Sequence, residues 1–296
     1  MSKGQIIKAL SGFYYIASDN KVYQTRARGI FRKRGQSPLV GDYVEFESQT
    51  LQEGVLTKIE KRKNELIRPP MANIDSAVLV MSALEPSFST LLVDRFLVYL
   101  EAKDIKPVIY ITKMDLLNEV ETAQIKAYQT MYQSIGYPVW LSQEGDVDSS
   151  DFIDSLANQV VLFMGQSGVG KSTLLNQLLP SLDLETAAIS KSLGRGKHTT
   201  RHVALHQVKQ ALIADTPGFS SVELDQIEKE DLPYLFPEFR KYSPNCKFRE
   251  CSHRHEPDCA VKAALVEGKI YQSRYDHYCQ FMDEIIDRKP KYQRKS

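Results

Sequence analysis

Cysteine, tryptophan and long apolar segments are scarce in this chain of 296 residues. Its four cysteines are too few for the disulfide frameworks of small secreted domains. The longest apolar stretch, residues 77–84, is far shorter than the ~18 residues needed to span a bilayer. Lys3 and Lys8 interrupt the segment in which a signal peptide would carry its apolar core. We therefore expect a soluble, cytoplasmic protein with no membrane partner.

The overall composition is that of a folded protein, but the charges are unevenly distributed. Hydrophobic residues make up 42% and charged residues 25%, which excludes a disordered or fibrous chain. At about 150 residues per domain, the length suggests roughly two domains. The formal net charge is +6 over residues 1–70, −10 over residues 71–239 and +5 over residues 240–296. Basic flanks around an acidic middle indicate a polyanionic partner that the flanks contact.

The N-terminal segment predicts a small β-barrel. Five short strand patterns are separated by Gly, Ser, Asp and Asn turns, at residues 5–10, 13–17, 21–26, 42–47 and 54–61. An OB-fold has five strands and commonly binds nucleic acid, so it is the first candidate, with an SH3-like barrel as the alternative. Arg68, Pro69 and Pro70 interrupt any strand ladder, and we place the end of an N-terminal domain at residue 68.

Residues 71–230 follow a different pattern, in which buried strands alternate with helical segments. Apolar runs at residues 77–81, 108–111, 139–141, 160–164 and 211–214 indicate a parallel sheet covered on both faces. Residues 231–296 combine a Pro-rich segment containing Cys and His with a closing helix, and we expect a third, helical domain. We interpret the stripe along that helix as a packing face; it consists of Tyr271, Tyr275, Tyr278, Met282 and Ile285.

A phosphate-binding loop is predicted between the strand at 160–164 and the helical residues 173–179. The pattern G-x-x-x-x-G-K-[ST] places backbone N–H groups and a helix start around phosphate oxygens. Lys171 would neutralise the β- and γ-phosphates, and Ser172 would ligate Mg²⁺. With the first helical residue beyond it, the candidate nucleotide-binding segment is Gly165, Gln166, Ser167, Gly168, Val169, Gly170, Lys171, Ser172 and Thr173.

Two shorter motifs complete a nucleotide site. Residues 215–218, DTPG, end an apolar strand, where Asp215 could hold the Mg²⁺ shell and the Gly218 N–H could meet a γ-phosphate. Residues 112–115 read TKMD and also follow a strand; we take Thr112, Lys113, Met114 and Asp115 as the base-binding segment. A carboxylate at Asp115 could accept the two N–H donors of guanine, which adenine does not offer.

A cluster of cysteine and histidine predicts a metal site. Cys246, Cys251, His253 and Cys259 supply three thiolates and one imidazole within fourteen residues, the ligand set of a closed tetrahedral zinc site. The alternatives are that some of these cysteines are simply buried or free, or that His255 replaces His253 as the ligand. Cys279 falls on the apolar stripe of the last helix and is interpreted as a core residue.

A basic segment between residues 21 and 34 is a candidate RNA contact. It contains Lys21, Arg26, Arg28, Arg32, Lys33 and Arg34, with no acidic residue, interleaved with Tyr23 and Phe31. Phosphate contacts and base stacking are both open to such a segment, and the alternative is a solvated loop. The basic tail at residues 288–295 is a weaker candidate of the same kind.

The order of these motifs resembles a GTPase whose motifs are circularly permuted. The TKMD motif comes first, followed by a base-loop serine at Ser142, the phosphate loop, a switch I segment at residues 194–200 and DTPG. With a barrel before and a Cys/His segment after, nearly the whole chain resembles the RsgA family (also called YjeQ or YloQ) of circularly permuted small-subunit biogenesis GTPases. The resemblance implies an OB-fold, a GTPase core and a zinc module.

That resemblance also implies ligands, partners and ligating residues. We expect GTP or GDP, Mg²⁺ and one Zn²⁺ per chain, with the 30S ribosomal subunit and its 16S rRNA as partners of a monomeric protein. The expected zinc ligands are Cys246, Cys251, His253 and Cys259; those of Mg²⁺ are Ser172, Thr200 and Asp215, with Thr199 as the neighbouring candidate. The rival hypotheses are a GTP-gated RNA-binding assembly factor with incidental hydrolysis and an ATP-using P-loop enzyme.

Two departures from general GTPase patterns bear on mechanism. Thr112 stands where Asn is more usual, whereas Asp115 keeps the guanine-selecting carboxylate. Phe219 follows DTPG, where many GTPases carry the Gln that orients the attacking water. His198, next to Thr199 and Thr200, is therefore the candidate catalytic residue, because a neutral imidazole could hydrogen-bond the water. The alternative is a loop His that contacts RNA or solvent.

Overall fold

A computed structural model describes residues 1–33, 35–142, 149–178, 203–215 and 222–288. Its first five strands are β1 (Ser2–Leu10), β2 (Phe13–Ser18), β3 (Lys21–Ala27), β4 (Tyr43–Ser48) and β5 (Gly54–Ile59). They pair in the order β1-β2-β3-β5-β4, and β4 pairs again with β1 to close a barrel. Only the β3–β5 pair is parallel among these five strands. This closed five-stranded barrel confirms the predicted OB-fold.

The barrel is filled by alternate side chains of its strands, as the period of a half-buried strand requires. Ile6, Ile16, Phe46 and Leu56 are fully buried inside it. Helix α1 (Gly29–Lys33) lies between β3 and β4 and places Phe31 in the same core. The strand patterns alone did not predict this helix.

A short hairpin joins the barrel to the next part of the chain. It consists of β6 (Glu65–Leu66) and β7 (Met71–Ala72), on either side of the two prolines. The barrel loop approaches this hairpin closely: the Ala72 N–H donates to the Val40 carbonyl at 2.9 Å. A Cβ atom on Gly41, whose φ is +93°, would lie 2.0 Å from the Ala72 carbonyl oxygen, so only glycine fits at that contact.

The central part of the chain is a mostly parallel α/β sheet. Its elements are β8 (Ser76–Ser82), α2 (Thr90–Ala102), β9 (Lys106–Thr112), a 3₁₀ turn (Met114–Leu116), α3 (Glu119–Ile135), β10 (Val139–Leu141), α4 (Ser149–Asp154), β11 (Val160–Met164), α5 (Lys171–Leu178), β12 (Ala204–Val208) and β13 (Ala211–Asp215). The strand order is β10-β9-β8-β11-β13-β12, and β12 is antiparallel to β13. Every residue of β8 is buried, which explains its uninterrupted apolar run.

The barrel and the α/β core share one sheet. Lys8 of β1 pairs antiparallel with Ala204 of β12, which gives eleven connected strands. The five predicted strands of the core are all present, whereas β12 was not predicted. The proposed division into residues 1–68, 71–230 and 231–296 stays a prediction.

The C-terminal part is helical and packs on the α/β core. It contains 3₁₀ turns at Leu232–Leu235 and Ser243–Asn245, and helices α6 (Pro237–Tyr242), α7 (Ala260–Val266) and α8 (Gln272–Ile286). Tyr278, Met282 and Ile285 of α8 are buried, as expected for a packing face, whereas Tyr271 precedes the helix and is 41% exposed. No helix of the described residues is both long and apolar enough to cross a bilayer.

A buried ionic cluster, which we call the α2–α8 joint, connects these two parts. Arg274 of α8 lies 2.7 Å from Asp94 of α2 and 2.6 Å from Glu238 of α6. Asp94 also accepts a hydrogen bond from Tyr132 at 2.8 Å, and its other oxygen lies 2.5 Å from His277. Asp94 and Arg274 are both completely buried. The C-terminal part is therefore held by charges with little access to water.

Candidate functional site

A cavity of about 240 Å³ lies at the carboxyl end of β9, beside the start of α5. It combines residues of the predicted base-binding segment with residues of the predicted phosphate loop. The side chains and backbone that line it belong to Tyr110, Thr112, Lys113, Asp115, Ser142, Gly170, Thr173, Leu174 and Gln177. The sequence did not single out Tyr110, Leu174 or Gln177, because an aromatic, an aliphatic and an amide side chain carry no motif of their own.

The local backbone positions Asp115 at this cavity. Lys113 has a left-handed conformation (φ +60°), which ends β9 and starts the 3₁₀ turn that carries Asp115. The Lys113 ammonium donates to the Glu85 carbonyl. Ser142 supports the turn, because its backbone N–H donates to Ile111 at 2.8 Å and its hydroxyl oxygen accepts from the Met114 N–H at 3.3 Å. The Met114 side chain packs against the hydrophobic core instead of lining the cavity.

Thr112 links the base-binding segment to the phosphate loop. Its side chain is 8% exposed, and its hydroxyl lies 2.6 Å from the Val169 carbonyl and 3.1 Å from the Met81 carbonyl. A hydroxyl has one proton to donate, and the shorter contact is the one to the phosphate loop. The hydroxyl of Thr112 is therefore engaged with protein backbone at the position where other GTPases carry Asn.

The phosphate loop has the backbone that its glycines allow. Gly165, Gly168 and Gly170 have positive φ values of +155°, +85° and +88°. A Cβ atom on Gly165 would lie 2.4 Å from the Val80 carbonyl oxygen, so the close approach of the loop to β8 requires glycine there. Helix α5 begins at Lys171 directly after the loop, with Ser172 and Thr173 in its first turn. Converging backbone N–H groups and a helix start form an anion-binding concavity, which fits a nucleotide's phosphates.

Several predicted residues lie outside the described part of the chain. These are Arg34, His198, Thr199, Thr200, Gly218 and Phe219, together with the rest of the predicted switch I segment and residues 289–295 of the basic tail. Asp215 is the last residue of β13, which runs parallel to β11. Since parallel strands end at the same edge of a sheet, the backbone of Asp215 lies at the edge that carries the phosphate loop.

The second candidate site is the Cys/His cluster of the C-terminal part. The ligand atoms of Cys246, Cys251, His253 and Cys259 all lie within 4.8 Å of one another. The Nδ1 atom of His253 is 3.6 Å from the Cys246 sulfur and 3.4 Å from the Cys259 sulfur. His255 and Cys279 are not members of the cluster. Three thiols and one imidazole at these separations are compatible with a tetrahedral zinc ion.

The hydrogen bonds of His253 leave Nδ1 available as a ligand. The Ser243 hydroxyl donates to the Phe239 carbonyl at 2.8 Å, so its oxygen can accept the proton on His253 Nε2, which lies 3.1 Å away. Burial lowers the pKa of His253 and so favours the neutral ring that binds metals. Burial also raises the pKa of the Cys251 thiol to about 12, so a thiolate there requires a cation beside it.

Residues that the motif does not include fix the loop that carries these ligands. The hydroxyls of Tyr275 and Tyr278 donate to the carbonyls of His253 at 2.7 Å and Ser252 at 2.5 Å. Although burial opposes ionisation of Glu256, hydrogen bonds from Ser252 and Arg254 lower its pKa to about 2. The sequence predicts only a packing face for the stripe that includes these two tyrosines, and the structure adds the hydrogen bonds of their hydroxyls.

The basic segment of the barrel exposes less aromatic surface than the sequence suggested. Phe31 is 5% exposed and lies in the hydrophobic core, and the Tyr23 ring packs against Phe46 at 5.0 Å. The suggestion that Phe31 stacks on bases is therefore wrong, because its ring fills the barrel. Tyr23 is half-buried against the same core, and stacking on its ring stays a prediction. Arg28 pairs with Glu47 at 3.4 Å, and the Arg26 guanidinium lies 4.5 Å from the centre of the Phe13 ring.

Comparison with known proteins agrees with this geometry. The family model described as RsgA GTPase matches residues 59–225, and the RsgA N-terminal domain model matches residues 3–56. The chain belongs to the RsgA GTPase family. It is 55% identical to the small ribosomal subunit biogenesis GTPase RsgA of Bacillus subtilis (strain 168), over 99% of this chain and 100% of that protein. RsgA 2 of Listeria monocytogenes serovar 1/2a (strain EGD-e) is 53% identical to it, over 99% of this chain and 100% of that protein.

Two solved structures of RsgA relatives have the same architecture. The crystal structure of YloQ, a circularly permuted GTPase, has a TM-score of 0.85 and 51% identity and covers 99% of this chain and 97% of that one. YjeQ from Thermotoga maritima has a TM-score of 0.84 and 30% identity, with coverage of 97% and 99%. The predicted family, the permuted order and the GTP hydrolase activity of this RsgA chain are thus confirmed.

Proposed function

We propose that this RsgA protein hydrolyses GTP in the late maturation of the small ribosomal subunit, and that binding to the 30S particle and its 16S rRNA accelerates hydrolysis. The observation that carries the proposal is the cavity shared by Asp115, Ser142, Gly170 and Thr173. It joins a guanine-reading carboxylate to a phosphate loop in the permuted order of the family. The names of the curated relatives supply the subunit as partner.

Asp115 selects guanine in this proposal. Its carboxylate accepts hydrogen bonds from two guanine N–H donors, while the Lys113 stem forms a wall of the cavity. The backbone N–H groups of residues 165–173 hold the phosphates, and Lys171 neutralises their charge. Ser172, Asp215 and Thr200, or its neighbour Thr199, would hold Mg²⁺, which supplies charge neutralisation at the β- and γ-phosphates.

His198 positions the attacking water in this proposal. The chain has Phe219 where many GTPases have Gln, so no carboxamide is available at that position. A neutral imidazole has both the hydrogen-bonding capacity and the pKa range for this role near pH 7. Docking on the subunit would place the His198 imidazole against the attacking water, which is why we expect slow turnover by the free protein.

One structural zinc ion per chain would be held by Cys246, Cys251, His253 and Cys259. The support is the donor set itself: three thiols and a buried, neutral imidazole converge within one loop, and the second ring nitrogen is already hydrogen-bonded. We further infer that the protein acts in the cytoplasm as a monomer. Light scattering of the purified protein tests the oligomeric state.

The test is GTP turnover under single- and multiple-turnover conditions, with and without purified 30S subunits, and with 50S subunits as the control. We expect the rate of GTP turnover to rise with 30S subunits and not with 50S subunits. The His198→Ala variant should retain GDP affinity and 30S binding and lose the stimulated kcat. Equal turnover with and without 30S would contradict the proposed stimulation, and full stimulated turnover of His198→Ala would remove His198 from the mechanism.

A further inference from the structure

Tyr110 of β9 lines the cavity of about 240 Å³ at the carboxyl end of that strand, which we call the base cavity. Only 2% of the residue is exposed. Its ring packs against Phe152 of α4, with 4.9 Å between the ring centres. It also belongs to a cluster of buried residues that includes Val169 of the phosphate loop and Leu174 of α5. The ring of Tyr110 is therefore fixed by packing on several sides.

The hydroxyl of Tyr110 makes no hydrogen bond with any residue in the described part of the chain. It is not one of the buried polar atoms that lack a partner, so the small exposed part of the residue includes this oxygen. Burial raises the pKa of Tyr110, so the phenol keeps its proton near pH 7 and can donate it. Polar groups that are almost fully buried are normally hydrogen-bonded. The hydroxyl can therefore gain a partner from a molecule that enters the base cavity.

The other polar side chains of the base cavity already have partners or water. The Thr112 hydroxyl donates to a backbone carbonyl of the phosphate loop, and the Lys113 ammonium donates to the backbone before α2. The Ser142 hydroxyl oxygen accepts from the turn that follows β9. Gln177 is exposed, so water can satisfy its amide. Tyr110 is the nearly buried side chain of this cavity whose polar atom is still unpaired within the described residues.

We propose that the Tyr110 hydroxyl donates a hydrogen bond to O6 of the guanine base whose N–H donors are bound by Asp115. The carbon that carries O6 is bonded to N1, so the acceptor O6 and the donors that Asp115 accepts lie at the same end of the base. Both residues line the base cavity. Tyr110 would thus add a contact that strengthens guanine binding. The inference rests on the proposed function, because it requires guanine in this cavity.

The test measures the affinity of the full-length protein for GDP by calorimetry. Tyr110→Phe removes the hydroxyl oxygen and keeps the ring that packs against Phe152. Losing one neutral hydrogen bond should weaken GDP binding about 2- to 12-fold. Tyr137→Phe is the matched control, because Tyr137 is also buried and its hydroxyl lies 3.2 Å from Glu101, outside the base cavity. That variant should bind GDP as the parent does.

Two analogues of GDP show whether the hydroxyl acts on O6. 6-Thio-GDP keeps both N–H donors but replaces O6 with sulfur, which is a weaker acceptor. Its loss of affinity relative to GDP should be smaller in Tyr110→Phe than in the parent, because the variant has no donor to lose. 7-Deaza-GDP lacks N7 and keeps O6, so its loss of affinity relative to GDP should be equal in the two proteins. These ratios compare ligands within one protein and are therefore insensitive to a partial loss of folded protein.

Two outcomes overturn the inference. One is GDP affinity in Tyr110→Phe equal to that of the parent, and the other is an equal loss from GDP to 6-thio-GDP in both proteins. Stimulation of GTP turnover by 30S subunits is a separate readout. If 30S stimulates the parent and Tyr110→Phe binds GDP as tightly as the parent, the Tyr110 inference fails and the proposed function stands. If Tyr110→Phe shows the expected losses and 30S does not stimulate the parent, the inference stands and the proposed stimulation fails.

Discussion

At the scale of single residues, the proposed selection of guanine depends on Asp115. Replacing Asp115 with Asn removes a charged acceptor and introduces an N–H donor that faces the guanine donors. Since a hydrogen bond to a charged group contributes about 1.5–3 kcal/mol, GTP affinity should fall about 10- to 150-fold, and xanthine nucleotides should bind better than to the parent. Competition against a fluorescent GDP analogue measures both effects. Unchanged GTP affinity in Asp115→Asn would show that another group reads the base.

Thr112 acts, in our interpretation, by holding the base-binding turn against the phosphate loop. Thr112→Val keeps the shape of the side chain but leaves the Val169 carbonyl without its donor, which costs about 1–3 kcal/mol for a buried acceptor. We expect weaker GDP binding in Thr112→Val and near-parental binding in Thr112→Ser, measured by calorimetry. 7-Deaza-GDP is the control ligand. Its loss of affinity relative to GDP should be equal in the parent and in Thr112→Val, because the Thr112 hydroxyl contacts the backbone and not the base.

At the scale of elements, sequence patterns located strands better than short helices or exposed strands. The run at residues 160–164 coincides with β11, since a strand buried on both faces is apolar throughout. Helix α1 has only five residues, too few to show a helical period. Strand β12 includes His206 and Gln207 and lacks a long apolar run, so neither signal of a core strand was present.

For the candidate sites too, the sequence predicted the features that depend on local geometry and not those that depend on long-range packing. The glycines of the phosphate loop and the spacing of Cys246 to Cys259 encode local geometry, and the cavity and the four-ligand cluster bring those residues together. The roles of Tyr275 and Tyr278 could not be read from sequence, because their hydroxyls reach carbonyls more than twenty residues away. The same long-range packing put Phe31 in the core, which no local charge pattern reveals.

The loop that carries the four predicted zinc ligands, residues 246–259, should depend on a bound metal ion for its stability. Purified protein prepared without chelators should contain one zinc ion per chain by elemental analysis. Cys251→Ala should lose that zinc and destabilise the C-terminal helices, because metal binding contributes directly to the free energy of folding. Cys279→Ala, outside the cluster, is the matched control and should retain zinc. A folded parent that contains no zinc would contradict the assignment.

At the scale of the whole molecule, the α2–α8 joint fixes the C-terminal part on the α/β core. Asp94→Asn leaves the buried Arg274 with one carboxylate fewer, and breaking a buried pair costs about 3–5 kcal/mol. Arg240→Gln removes a half-exposed pair with Glu101 and should cost about 0–1 kcal/mol. Urea denaturation followed by circular dichroism measures both. If both variants lose the same small amount of unfolding free energy, the joint contributes no more to stability than a surface ion pair does.

The same joint imposes an order of events on the newly made chain. Asp94 and His277 are 183 residues apart, so at about 5–20 residues per second the ribosome takes about 9–37 s to make the partner after the acid. Throughout that interval the face of α2 that carries Asp94 contacts Tyr132 of α3 but has no α8 against it. The core of the nascent protein is therefore complete only when almost all of the chain has been synthesised, and chaperones would meet it with that face still open.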